Sequence, residues 1–208
     1  MPDLSFAIEG AEPVTYAACP TLAIRLKICN ANPDEQIQSV MLQAQVQIEA
    51  TRRRYGPEEQ SRLLDLFGEP DRWNQTLRTM LWTHASVTVR PFSGETTADL
   101  LVPCSFDFNV AATKYFDGLA DGDIPLCLLF SGTIFYEESE TGLRIDQIPW
   151  EQEAHFRLPV ATWKGVIDHY YPNSAWLTLR RDVFDRLHEY KRRRGIATWE
   201  QAVEQLLQ

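Results

Sequence analysis

The sequence predicts an α+β fold that is mainly β: an antiparallel β-sandwich with helical insertions and a C-terminal helical segment. Three observations predict it. Apolar and polar residues alternate at period two in two long runs, 22–28 and 40–48, as half-buried antiparallel strands require, because successive strand side chains point to opposite faces. Further strand-like runs bring the total to about eight without alternating βα units, which favours a sandwich over a parallel sheet. Beyond residue 160 the apolar spacing becomes helical.

Leu4, Phe6 and Ile8 begin the alternation. Leu22, Ile24, Leu26 and Ile28 form one apolar row, with Arg25 and Lys27 on the other side. Val40, Leu42, Ala44, Val46 and Ile48 repeat the pattern against Gln43, Gln45, Gln47 and Glu49. Between these runs, Asn30-Ala-Asn-Pro-Asp-Glu35 has the composition of a tight reversal, so the two are expected to pair as a hairpin. Pro57-Glu-Glu-Gln60 opens a helix with proline at its first position and acids in its first turn; Leu63, Leu64 and Phe67 supply its apolar stripe and Gly68 stops it. Pro70 and Asp71 open another, with Trp73, Leu77 and Leu81 at helical spacing. Strands are expected at 81–90 and 97–108, a short helix at 111–119, and further strands at 126–136, 143–148 and 154–158. The stretch from Leu126 to Phe130 is apolar on both faces and should be a central strand.

Near the C-terminus a helix is expected at 161–169, broken by Pro172-Asn-Ser-Ala175, and Trp176-Leu-Thr-Leu179 reads as a brief extended piece. Leu179, Val183, Leu187 and Tyr190 then mark one face of a helix that ends in basic residues and Gly195, favourable chemistry for a helix end. Thr198-Trp-Glu-Gln201 is a capping box for the final helix. The expected organisation is a sandwich body over 1–160, with a helical insertion near 57–80, and a helical segment over 161–208.

At 208 residues, with 44% hydrophobic and 24% charged residues, the chain can bury a core without staples and is neither disordered nor fibrous in character. Its longest apolar stretch, Ile124 to Phe130, is far short of the ~18 residues a membrane span requires. Met1-Pro-Asp-Leu-Ser-Phe6 has neither the basic nor the apolar region of a secretory signal, so a cytoplasmic protein with no membrane partner is expected. A net charge of −9 repels phosphate backbones and anionic lipid. Cys19, Cys29, Cys104 and Cys127 form no C-x-x-C pair and read as small buried hydrophobes.

No motif in the chain carries a known chemistry. His84, His155, His169 and His188 are far apart and form no H-E-x-x-H pair, so no metal or other cofactor is expected. The acidic loop 117–123 lacks the spacing and terminal glutamate of an EF-hand. Neither a nucleophile elbow nor a phosphate-binding glycine loop occurs, and no catalytic residue is assigned. Glu137-Glu-Ser-Glu140, Glu151 and Glu153 read as solvated charge. Six tryptophans fall near strand–helix junctions and are expected to anchor helices to the sandwich, whereas an exposed one would mark a partner contact. Two basic clusters remain, and with Trp176 they form the candidate partner-binding set: Arg52, Arg53 and Arg54, and Lys191, Arg192, Arg193 and Arg194. From Trp176 to Leu207 the pattern resembles in outline the ribbon-helix-helix modules that place a strand pair in the DNA major groove, with Trp176, Thr178 and Arg180 toward bases and Leu177 and Leu179 toward the core. Residues 174–208 hold seven Lys/Arg and five Asp/Glu, a net +2, which is a modest attractor for phosphate.

The stretches Arg52-Arg-Arg-Tyr55, Leu63-Leu-Asp-Leu-Phe-Gly-Glu-Pro70, Leu81-Trp-Thr-His84, Val102-Pro-Cys-Ser-Phe-Asp107, Leu128-Leu-Phe-Ser-Gly-Thr133 and Ser174-Ala-Trp-Leu177 resemble an uncharacterised bacterial family classed as a domain of unknown function. The resemblance spans nearly the whole chain and supplies no functional residues. It implies genes neighbouring those of high-affinity nickel-iron hydrogenases, and hence an accessory or assembly role. The expected function is therefore a non-enzymatic interaction or assembly protein with a protein partner, such as a nickel-iron hydrogenase or another redox complex. The alternative is a DNA-binding regulator acting through the C-terminal segment.

Overall fold

The computed structural model describes residues 2–105, 110–138 and 142–208. The end of the expected 97–108 strand and residues Ser139 and Glu140 of the acidic stretch lie outside the described residues. Two antiparallel sheets form. β1 (Leu4–Pro13), β2 (Thr21–Asn30) and β5 (Glu95–Pro103) make a three-stranded sheet in the order β1-β2-β5. β3 (Ile37–Ile48), β4 (Met80–Val89), β6 (Asp123–Glu138), β7 (Gly142–Gln147) and β8 (Glu153–Pro159) make the second, in which β4-β3-β6 run side by side. β6 is the central strand that its two-sided apolarity predicts: β3 lies along one edge, while β8 and β7 divide the other between its first and second halves.

The alternation of residues becomes the core. Leu22, Ile24, Leu26 and Ile28 of β2 and Val40, Leu42, Ala44, Val46 and Ile48 of β3 are all buried, and each large aliphatic side chain so removed from water contributes about 1.5–3 kcal/mol. Between the sheets, Phe6 of β1 stacks on Phe130 of β6 with ring centroids 4.5 Å apart.

The expected hairpin between the second and third strands does not form. β2 pairs with β1 and β5, whereas β3 pairs with β4 and β6, so the turn at 30–35 is an arch from one sheet to the other. Alternation reports that one face of a strand is buried and is silent on which strand lies beside it. The buried Asn30 pins the arch: its side-chain carbonyl accepts from the amides of Asp3 (3.2 Å) and Asn32 (3.3 Å), and its amide nitrogen donates to Glu35 (3.1 Å).

The helical insertions gather around an aromatic cluster. α1 (Pro57–Arg62), α2 (Leu64–Phe67) and α3 (Trp73–Thr76) connect β3 to β4; α4 (Val110–Gly118) precedes β6 and α5 (Val160–Tyr170) follows β8. Helical spacing at Trp73, Leu77 and Leu81 overreaches, because the helix ends at Thr76 and Leu81 pairs with Gln47 in β4. Trp73, Trp82 and Trp163 are buried anchors, as expected. Phe116 meets Trp82 at 4.8 Å and Trp163 at 5.0 Å, while Tyr55 reaches Trp73 at 5.2 Å and bonds Tyr115 through the two hydroxyls at 2.8 Å. Beside this cluster Arg53 and Glu59 form an ion pair of 2.5 Å with side chains 9% and 8% exposed. Arg53 also donates to the carbonyls of Asp121 (2.7 Å) and Asp123 (2.6 Å), and Glu59 accepts from the amides of Gly56 (3.2 Å) and Ala120 (2.9 Å). The pair thus ties the turn before β6 to the first insertion.

The chain divides into two compact units, Met1–Asn173 and Ser174–Gln208, so α5 belongs to the first. The second unit contains α6 (Arg181–Arg193) and α7 (Trp199–Leu207). α6 ends where the sequence places its stop: Gly195 takes φ +61°, and the amides of Gly195 and Ile196 donate to the carbonyls of Arg192 (3.2 Å) and Lys191 (3.1 Å), closing a glycine cap. Thr198 caps α7 by accepting from the amide of Gln201 at 3.2 Å. Trp199 packs on Phe184 at 5.4 Å and His188 at 5.9 Å. Among the described residues, no helix is long and apolar enough to cross a membrane.

Candidate functional site

The period that buries one face of the five-stranded sheet sends the other outward. Gln43 and Gln45 of β3, His84 and Ser86 of β4, and Leu129 and Ser131 of β6 line an open groove of about 530 Å³, together with Trp150. Trp150 is 90% exposed, and the local backbone explains why. Ile148 donates to the carbonyl of Gly132 (2.9 Å) and Phe130 donates to that of Gln152 (2.8 Å), so the chain is held to β6 on both sides of Pro149-Trp150-Glu151. Gln152 closes a turn by donating to the carbonyl of Pro149 at 3.2 Å. The switch from β7 to β8 along one edge of β6 therefore lifts the indole out of the ladder.

On the same face, one alternation from Leu129, Cys127 lies opposite His155 of β8 and Gln47 of β3. Glu153 precedes His155 by two residues and shares its face. The Cys127 Sγ stands 3.8 Å from Glu153 Oε2, and His155 Nε2 is 3.4 Å from Glu153 Oε1. On the far side of the imidazole, His155 Nδ1 lies 3.2 Å from Glu49 Oε2, and Arg52 Nε lies 3.1 Å from Glu49 Oε1. Arg52 also approaches His155 Nδ1 at 3.5 Å. Glu49 is only 13% exposed on its side chain, at the end of β3, with its amide donating to the carbonyl of Pro125 at 2.9 Å. Burial first, and then the carboxylates of Glu153 and Glu49, push the Cys127 thiol up to about 11, so it carries a proton at neutral pH and is a poor nucleophile by itself. Thiol, imidazole and carboxylate together form a donor set suited to a transition-metal ion.

Of the residues expected to bind a partner, Arg52 falls within this cluster. Arg54 is exposed, whereas Arg53 is turned inward and occupied with Glu59 and the 121–123 carbonyls. In the second unit Arg192 and Arg193 pair with Glu189, Lys191 lies 5.4 Å from the Trp199 ring and Arg194 lies 5.1 Å from the Tyr190 ring. Trp176 is half-buried, residues 176–179 form no strand, and Leu177 is 74% exposed instead of facing a core.

Glu49, Cys127, Trp150, Glu153 and His155 were not singled out as a site by sequence. All four cysteines are unpaired, and Cys104 and Cys127 are buried as expected, while Cys19 and Cys29 are partly exposed. The separation of the histidines in sequence does not bear on His155, whose neighbours Cys127 and Glu153 arrive from β6 and β8. The spacing Glu153-Ala-His155 was the available local signal, since it places both side chains on one face of a strand.

The chain belongs to a family of unknown function, DUF6084, whose model matches residues 1–208. No curated protein matches it. Among solved structures it is similar to a β-glucosidase from Kluyveromyces marxianus at 10% identity and TM-score 0.29, covering 75% of this chain and 15% of that one. A candidate late embryogenesis abundant (LEA) protein matches at 14% identity and TM-score 0.30, covering 76% of this chain and 73% of that one. β-Glucosidase 3B from Thermotoga neapolitana, solved with α-D-glucose, matches at 12% identity and TM-score 0.25, covering 75% of this chain and 17% of that one. The chain thus spans less than a fifth of each β-glucosidase.

Proposed function

We propose that this family member is a non-enzymatic interaction or assembly module whose protein partner seats on the outer face of the five-stranded sheet. The observation that supports the reading is Trp150, 90% exposed and lifted beside the groove lined by Gln43, Gln45, His84 and Ser131. An indole standing in water next to a row of amide and hydroxyl groups supplies the apolar anchor and polar rim of an interface, and burying such an anchor contributes 2 kcal/mol or more at typical hot spots, roughly a thirtyfold change in affinity. The first partner to try is a nickel-iron hydrogenase or another multisubunit redox complex, the setting implied by the sequence resemblance.

The test is co-purification from the native host with wild-type and Trp150→Ala baits. The expected result is a stoichiometric partner retained by the wild type and lost with the variant, with unchanged thermal stability of the bait. Recovery of the bait alone, or equal recovery of the partner by both, would refute the proposal. Salt-dependent binding to duplex DNA from the protein's own upstream region would instead support a regulator.

A further inference from the structure

We propose that Cys127, Glu153 and His155 bind one divalent transition-metal ion, Zn²⁺ first among them, and that Glu49 orients His155 for the task. The inference is independent of the partner assigned to the groove. One donor atom from each of the three residues lies within 4.8 Å of the other two. In a tetrahedral zinc site, metal–sulfur and metal–nitrogen or –oxygen bonds of about 2.3 and 2.0–2.1 Å place donors roughly 3.3–3.6 Å apart. The separations of 3.8 Å from Cys127 Sγ to Glu153 Oε2 and 3.4 Å from Glu153 Oε1 to His155 Nε2 are close to that spacing. Those two distances use different oxygens of Glu153, and the three donor atoms lie within 4.8 Å of one another, so side-chain rotations that move donors by up to about an ångström bring them onto one ion.

Glu49 is the second, separate observation. A metal-bound histidine ordinarily gives its remaining ring N–H to a carboxylate, which fixes both tautomer and ring orientation. Here Nδ1 faces the largely buried Glu49 carboxylate at 3.2 Å, while Nε2 faces the Glu153 carboxylate. Arg52 holds the other oxygen of Glu49 at 3.1 Å. The chain Arg52–Glu49–His155 directs the imidazole lone pair toward Cys127 and Glu153. Three residues on adjacent paired strands, β6 and β8, supply the donors, so the site is built on a sheet and needs no loop closure.

The donor set selects the class of ion. A thiolate and an imidazole suit Zn²⁺, Co²⁺, Ni²⁺ or Cu²⁺ and are poor ligands for Mg²⁺ or Ca²⁺. Glu153 and His155 are 51% and 44% exposed on their side chains, which leaves the fourth position toward solvent, open to water or to a donor from another molecule. Cys127 binds as thiolate and gives its proton to solvent.

The experiment uses the full chain, stripped with chelator and titrated with Zn²⁺ and, separately, Co²⁺. Expected are one ion per chain by elemental analysis after dialysis, and a thiolate-to-cobalt charge-transfer band. Cys127→Ser should abolish that band and weaken Zn²⁺ at least about a hundredfold; Glu153→Gln, at a half-exposed position, should weaken it comparably while leaving the urea midpoint of the metal-free chain unchanged. Glu49→Gln should weaken binding about 10–100-fold with the stoichiometry and the band retained. Cys29→Ser should change nothing. Failure of the wild-type chain to retain Zn²⁺ through dialysis, or a charge-transfer band that survives Cys127→Ser, would overturn the assignment.

Discussion

Replacing Glu59 with glutamine should lower stability by about 2–4 kcal/mol, an effect that follows from where its charge sits. Arg53 and Glu59 are 9% and 8% exposed on their side chains and meet at 2.5 Å. Removing one member of a buried pair typically costs about 3–5 kcal/mol, because the other charge is left uncompensated. Two features reduce the loss here. Arg53 keeps its bonds to the carbonyls of Asp121 and Asp123, and the glutamine oxygen can still accept from either Gly56 or Ala120. The remaining amide loses its acceptor, which adds about 1 kcal/mol. For a chain of 208 residues each kcal/mol moves Tm by roughly 2–4 °C, so the melting temperature should fall by roughly 4–16 °C. Urea unfolding followed by far-UV circular dichroism, extrapolated linearly to water, measures the loss. The double variant Arg53→Met/Glu59→Gln removes both charges and should lose less than the sum of the single variants. A single-variant loss below about 0.5 kcal/mol, in the range of ordinary surface substitutions, would refute the argument that the pair holds the 120–123 turn.

The same carboxylate predicts a pH dependence. Burial raises the Glu59 carboxyl, but the amides of Ala120 and Gly56 and the Arg53 guanidinium outweigh it and hold it below its ordinary value. Its contribution is therefore complete above the unfolded value of about 4.3 and is lost as pH falls through the lower folded value; Glu59→Gln should flatten the urea midpoint against pH in that acid range. Gly132→Ala should prevent folding, since a Cβ there would lie 2.1 Å from the Met41 carbonyl oxygen in the facing strand; a soluble variant melting like the wild type would contradict the β3–β6 register. Burial pushes the Cys104 thiol up to about 12, so alkylation at pH 7.5 followed by mass spectrometry should modify Cys19 and Cys29 and spare Cys104 until the chain is unfolded. Early labelling of Cys104 would place it outside the core.

Much of the architecture was legible because its causes are local. Period-two alternation at Leu22 to Ile28 and Val40 to Ile48 marks strands buried on one face, and two-sided apolarity at Leu126 to Phe130 marks the middle of a sheet. Pro57, Gly68 and Gly195 delimit helices through their own backbone chemistry, and Thr198 does so through its hydroxyl. Partner choice between strands was not legible, so the Asn30–Glu35 reversal suggested a hairpin where the chain crosses between sheets. Helical spacing at Leu77 and Leu81 failed for a related reason: pairing with β3 outweighs local preference.

The sequence by itself determined the eight main strands and most of the helices, the direction in which each strand presents its apolar row, and the main stop signals between elements, all set by neighbours within a few residues. Tertiary structure alone decided what those rows enclose and what they display. It turned Arg53 inward against Glu59, although Arg52 and Arg54 beside it remain outward. It set Cys127 of β6, Glu153 and His155 of β8, and Glu49 just past the end of β3 side by side, from positions up to 106 residues apart. A side chain's face is fixed by backbone period, but the groups it meets there depend on which strands close the sheet, and that is settled only when the whole core is packed.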